Sequence, residues 1–259
     1  MKFFLNQPVR MLLLAALFIS TSLSAKPWIY QVRMYTLENE QQEAMMDNYL
    51  EHAYLPALHR AGIDEVGVFK TIEGKNDGEN LVVVFIPLKS MNSFDKLTAK
   101  LDSDAEFQRA AVEFRDASYD QPPYKRLEVT LLKAFSETPV YSKPELTTMK
   151  DARVYELRSY ESATEELHRR KVKMFNDGES QLFEDLGFEP LFFGQVIAGA
   201  HMPNLVYMTC HANTEAQSAN WKAFVDHPEW NRMKVLDEYQ NTVSHIDKWM
   251  LYPAEYSDL

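Results

Sequence analysis

The strongest constraint on this fold is that the chain is written twice. Tyr30, Arg33 and Tyr35 in "WIYQVRMY" share a frame with Tyr155, Arg158 and Tyr160 in "VYELRSY". The features that follow each stretch come in the same order, and an internal repeat of this kind decides the architecture. "WIYQVRMYTL" has the alternation and aromatic content of a strand. "EQQEAMMDNYLEHAYLPALHRAG" sets Met45, Met46, Tyr49, Leu50, Ala53 and Leu58 at helical spacing; Gly62 is its expected stop, and Pro56 a kink or division point. "VGVFKTIEG" and "NLVVVFIPL" read as strands around the polar turn "KNDGEN". A helix broken near Asp102 and a closing strand, "YKRLEVTLLKAF", complete the half. In the second half "ARVYELRSYES" is a strand, and a helix with an interruption near Gly178 stops at Gly187. "EPLFFGQVIAG" and "NLVYMTCHA" are strands, "TEAQSANWKAFVDHPEWNRM" is helical, and "TVSHIDKWMLYP" closes the chain. Asn80-Leu81-Val82 matches Asn204-Leu205-Val206, and Phe107-Gln108-Arg109 matches Trp230-Asn231-Arg232.

Each half therefore reads β-α-β-β-α-β, the ferredoxin-like unit, with both helices on one face of an antiparallel sheet. The other face is left bare, and a large apolar sheet face does not stay in water. Two copies in one chain can cover each other. The expected class is α+β, with two tandem units packed sheet to sheet as an intramolecular α/β barrel. The units are placed at residues 26–138 and 152–259, joined by a linker rich in Pro, Ser and Thr at 139–151.

Residues 1–25 read differently. Lys2 and Arg10 precede or flank the apolar run "MLLLAALFIS", and small residues follow in "TSLSA", the layout of a secretory signal peptide cut after Ser24 or Ala25. The expected location is periplasmic or secreted. Loss of Lys2 and Arg10 takes the formal net charge from −11 to −13, which argues against nucleic acid and anionic membranes as partners. Cys210 is the single cysteine, so no internal disulfide forms, and its setting in "NLVYMTCHA" suits a small buried apolar residue. No GxGxxG, phosphate-loop, CxxC, HExxH or serine-elbow motif occurs, and no cofactor is read from the residues.

The stretches "VYELRSY", "NLVYM", "HPEW", "EYQNTVSHID" and "LPALHRAG" resemble NIPSNAP domain proteins, specifically the secreted bacterial kind with two tandem copies. The resemblance runs from about Trp28 to Leu259 and is stronger in the second half. It implies the dimeric α/β-barrel fold, whose superfamily includes cofactor-free monooxygenases, haem enzymes and stress-responsive proteins. A fold shared by so many chemistries leaves function to the site.

Strand alternation sorts the candidates by face. With helices taken to cover the more apolar face, Gln31, Arg33, Tyr35, Glu156, Arg158 and Tyr160 are expected to point between the sheets. Tyr207, Thr209 and His211 join them from "NLVYMTCHA", whereas "NLVVVFIPL" is apolar on both faces. The second half is thus expected to carry the main site. Arg158 would engage an anionic or carbonyl group of a small organic ligand, with Tyr160, Tyr207 and Glu156 beside it and Arg33 and Tyr35 as first-half counterparts. His211 or His245 is the candidate base, and His245 with Asp247 forms a pair suited to proton transfer. With His211 that pair is also a two-His, one-carboxylate set, though no metal is assigned. Three readings stay open: a small-molecule-binding barrel, a cofactor-independent oxygenase, isomerase or lyase, and a structural protein with a filled core. Self-association into a homo-oligomer is compatible with each.

Overall fold

The computed structural model describes residues 25–259; the expected leader and its cleavage point after Ser24 fall at or beyond the edge of the described residues. Eight strands form: β1 (Ile29–Thr36), β2 (Gly67–Thr71), β3 (Leu81–Leu88), β4 (Arg126–Ala134), β5 (Val154–Glu161), β6 (Glu189–Ala198), β7 (Asn204–His211) and β8 (His245–Pro253). They close into one barrel in the order β1-β3-β2-β8-β5-β7-β6-β4, with every neighbouring pair antiparallel. Within each unit the strand order is that of the ferredoxin-like sheet. The edge strands of one unit pair with those of the other. One seam is short, with Phe69, Lys70 and Thr71 opposite Pro253, Tyr252 and Leu251. The other, β4 with β6, carries a register shift at Leu131/Leu132. Closure leaves no sheet edge open to a foreign strand.

The helices begin and end where local chemistry places them. In the first unit α1 (Glu40–Tyr49) is capped by Asn39, and in the second α6 (Glu165–Met174) is capped by Thr164. Each runs through a π-helical turn, Leu50–Tyr54 and Phe175–Glu179, into a short α2 (Leu55–Arg60) or α7 (Ser180–Asp185). Pro56 follows directly on the π turn, where its missing N–H interrupts the hydrogen-bond ladder and divides the helical run. Gly62 and Gly187 follow with φ of 87° and 79°, the left-handed geometry that ends a helix without a Cβ clash. The second helical layer is α3 (Met91–Ser103), α4 (Ala105–Ala110) and α5 (Val112–Arg115) in the first unit, and α8 (Thr214–Asp226) and α9 (Pro228–Met233) in the second. Ser90 and Asn213 cap α3 and α8 in the same way.

Two expectations need correction. The repeat is offset by one residue at β3: Thr36 stands opposite Leu81 as Glu161 stands opposite Asn204, so Leu81, not Asn80, is the counterpart of Asn204. A one-residue shift exchanges the faces of a strand. More important, the face assignment is reversed. The barrel interior is the apolar set Tyr30, Val32, Phe85, Tyr155, Leu157, Phe192, Met208 and Cys210. Tyr35, Tyr160, Tyr207 and their neighbours lie between sheet and helices instead. The physical reason is that eight strands share the interior, so it excludes water most completely and takes the face with fewest polar groups. The helices bring side chains that can bond to the polar face.

One end of the barrel is plugged. Tyr141 and Leu146 of the linker and Leu259 at the C-terminus pack on the interior cluster, and Tyr141 meets Trp28 edge-on. The opposite end opens into a cavity of about 270 Å³.

Candidate functional site

The predicted residues fall into three places. In the second unit, Glu156 is 1% exposed and lies beneath α8. Its carboxylate accepts from Arg158 Nη1 at 3.0 Å, Gln217 Nε2 at 2.9 Å and Trp221 Nε1 at 2.5 Å. The Trp221 ring covers the Arg158 guanidinium, 4.3 Å from its centroid. Tyr160 and Tyr207 share a hydroxyl hydrogen bond of 2.8 Å, and burial pushes Tyr160 up to about 12 and Tyr207 further. Deeper, Lys171 and Glu179 form a buried ion pair of 2.7 Å. The structure brings Glu156, Arg158, Tyr160 and Tyr207 together, as a hydrogen-bonded network whose charges already have partners.

His211 stands on the same outer face, opposite Val154 at the far end of β7. Thr209 Oγ1 lies 3.1 Å from Nε2 and Asn220 Nδ2 lies 3.2 Å from Nδ1, and burial lowers its pKa to about 4. It is a neutral, structurally engaged imidazole. His245 pairs with Glu161 at the other end of β5. His211 therefore cannot share a metal or a proton with His245 and Asp247, which corrects the three-residue grouping.

The first unit is built on the same plan with different substitutions. Arg33 occupies the place of Arg158 and donates from Nε to the Tyr35 hydroxyl at 2.9 Å. Its guanidinium lies 5.5 Å and 5.6 Å from the ring centroids of Tyr35 and Tyr54. At the place of Glu156 stands Gln31. At the place of Trp221, eight residues past the helix cap in both units, stands Thr98. At the place of Glu179, the last residue of the π turn, stands Tyr54. Among the described residues no carboxylate forms an ion pair with Arg33. Removing the tryptophan lid leaves a pocket of about 420 Å³ lined by Arg33, Tyr35, Tyr49, Tyr54, Thr98, Asp102, Phe107, Phe114, Arg115 and Tyr124. Tyr49 stacks on Phe114 at 3.9 Å, fixing one wall. Burial raises Tyr54 to about 12, so it presents a neutral hydroxyl. Sequence reading named Arg33 and Tyr35. It missed Thr98, whose signal is the small residue aligned with Trp221 once the caps are superposed.

His245 and Asp247 occupy a third place, the open barrel end. Asp247 lines the cavity with Glu79, Glu128, Ser159, His201, Asn204 and Trp249. His245 Nε2 lies 3.0 Å from Asp247 Oδ1, and His201 Nδ1 lies 3.0 Å from Glu161 Oε1.

Comparison with known proteins agrees with this architecture. Residues 155–258 match the NIPSNAP family model. No curated protein matches the chain by sequence. Three solved structures share the fold over nearly the whole chain. A candidate monooxygenase from Fusobacterium nucleatum is 6% identical, with a TM-score of 0.58 over 88% of this chain and 93% of its own. A second candidate monooxygenase, from Lactobacillus acidophilus, is 12% identical, with a TM-score of 0.56 over 88% and 94%. An anthrone oxidase-like protein is 8% identical, with a TM-score of 0.55 over 90% and 93%. At these identities the likeness is one of fold. Residues 155–258, nearly all of the second unit, thus resemble NIPSNAP domains, and the chain as a whole has the fold of the dimeric α/β barrels, made here from one polypeptide.

Proposed function

We propose that the protein binds a small organic anion with an aromatic body, in the first-unit pocket between sheet and helices. The observation that carries the reading is Arg33, a half-buried cation in an aromatic-walled pocket, without a carboxylate partner among the described residues. Its counterpart Arg158 shows what the same position looks like when the protein neutralises it internally. Arginine stays charged at every physiological pH and presents a planar fork to a carboxylate. The volume is in the range of small-ligand sites. One of the structures sharing the fold is named for anthrone, an aromatic compound, which is in keeping with an aromatic ligand class. The reading is one of binding, with Arg33 as the anion's partner and tyrosine rings as the walls. It moves the site from the second unit, and from between the sheets, to beneath the helices of the first.

The test is equilibrium binding of naphthalene-2-carboxylate to the purified chain, followed by tyrosine fluorescence and calorimetry. Saturable binding that Thr98→Trp abolishes supports the reading. Binding unchanged in Thr98→Trp and in Arg33→Met overturns it. Export belongs to the same proposal; N-terminal sequencing of the protein recovered from its native host should begin at Ala25 or Lys26, and an intact Met1 refutes it.

A further inference from the structure

We propose that the open barrel end binds one divalent first-row transition-metal ion through Glu161, His245 and Asp247, with His201 as a fourth ligand. The donor atoms of Glu161, His245 and Asp247 all lie within 4.8 Å of one another. They come from two adjacent strands whose alternation fixes them on the inner face: Glu161 stands opposite His245, and Ser159 opposite Asp247. His201 reaches the same carboxylate from the turn between β6 and β7. Around a bound ion, ligand atoms sit about 2.0–2.2 Å from the metal, hence roughly 3 Å or a little more from each other. The His245–Asp247 and His201–Glu161 distances of 3.0 Å already have that spacing. Bringing the two pairs onto one centre requires their side chains to rotate, and both imidazoles are exposed.

A second observation points to a ligand at this place. Asn204 faces Glu161 across β5 and β7, is 4% exposed and lines the cavity. Its amide nitrogen donates to Ser159 Oγ at 2.8 Å, but its Oδ1 has no hydrogen-bond partner among the described residues. A buried acceptor without a donor is costly, and a metal-bound water would supply one. Glu79 and Glu128 on the same rim add negative potential. Imidazole with carboxylate suits zinc, cobalt, manganese or iron, whereas calcium and magnesium take oxygen ligands. The first unit lacks the set: Thr36, Arg126 and Glu128 stand where the second unit has Glu161, His245 and Asp247. The stoichiometry should therefore be one ion per chain, not two.

The experiment titrates Co²⁺ into the tag-free chain after treatment with a chelator, reading the visible d–d absorption and competing it with Zn²⁺. The expected result is one equivalent bound, displaced by Zn²⁺ and not by Mg²⁺. His245→Ala and the near-isosteric Glu161→Gln should each weaken binding by more than about 10-fold, since even supporting groups around a metal are worth that much. His52→Ala, on an exposed helix face, should change nothing. Circular dichroism confirms that each variant is folded. No stoichiometric Co²⁺ binding overturns the proposal, as does binding equal to wild type in folded His245→Ala and Glu161→Gln, or binding lost in His52→Ala instead.

Discussion

Gln31→Glu converts the first unit's arginine into the state seen in the second. Gln31 is 6% exposed, and its Oε1 has no hydrogen-bond partner among the described residues. It occupies the position of Glu156, whose carboxylate holds Arg158 at 3.0 Å. A glutamate at residue 31 is isosteric and needs no new space. Its charge would sit roughly 3–4 Å from Arg33, an attraction of about 4 kcal/mol at an effective dielectric constant near 20. A ligand carboxylate must then compete with an internal one. The net value of a hydrogen bond to a charged group is about 1.5–3 kcal/mol, so affinity for naphthalene-2-carboxylate should fall roughly 10- to 150-fold. The neutral naphthalene-2-carboxamide does not depend on the charge, and its affinity should move by less than about 3-fold, or about 0.7 kcal/mol. Calorimetric titration of both compounds into both proteins measures the split. An unchanged carboxylate affinity in Gln31→Glu would refute the reasoning, because Arg33 would then not be the anion's partner. Equal losses for both compounds would refute it differently, by showing that the pocket had collapsed.

Other consequences can be measured on stability. His211 binds a proton below about 6.5 in the unfolded chain but only below about 4 when folded. The unfolded state thus binds more protons in that window, so stability falls as pH drops from about 6.5 to about 4, by about 3 kcal/mol in all; His211→Gln should flatten this part of a urea-midpoint profile, and an unaltered slope would count against a buried neutral imidazole. Lys171→Met leaves Glu179 buried and uncompensated, costing about 3–5 kcal/mol near neutral pH, while Lys171→Met with Glu179→Leu should come within about 1–2 kcal/mol of wild type. Burial already holds the Glu179 carboxyl above its ordinary value. In the single variant the deficit should therefore shrink as pH falls and the carboxyl protonates, and grow as pH rises. Phe192→Ala in the barrel interior, where the ring stacks on Phe85 at 4.7 Å, should cost about 3–5 kcal/mol by thermal melt.

What could be read from the residues was whatever is encoded locally. The repeat, the helix stops at Gly62 and Gly187 and the α+β barrel depend on periodicity and backbone chemistry. Those signals survive without knowledge of what packs where. Alternation also divided each strand correctly into two faces: Glu156, Arg158 and Tyr160 do share one, and His245 and Asp247 share another. It could not say which face meets helices and which meets the other sheet. Both faces of β5 and β7 are largely buried, so burial alone does not separate them. The assumption that helices take the more apolar face failed because Trp221, Gln217 and the Lys171–Glu179 pair supply polar partners from the helical side. Glu161 was reachable from the same alternation as Leu157. His201 was not, because only the fold brings the β6–β7 turn over the barrel end.

Joining the two barrel halves covalently has an evolutionary consequence. A barrel assembled from two identical chains must accept every substitution twice, once on each side of its two-fold axis. Here Trp221 and Thr98, Glu156 and Gln31, and His245 and Arg126 diverge across that axis within one polypeptide. The fusion also makes barrel closure a unimolecular event, set by the effective concentration that the connection from β4 to β5 imposes. Dilution that would dissociate a two-chain relative should leave this barrel closed, and with it the asymmetry between a sealed arginine and an open one.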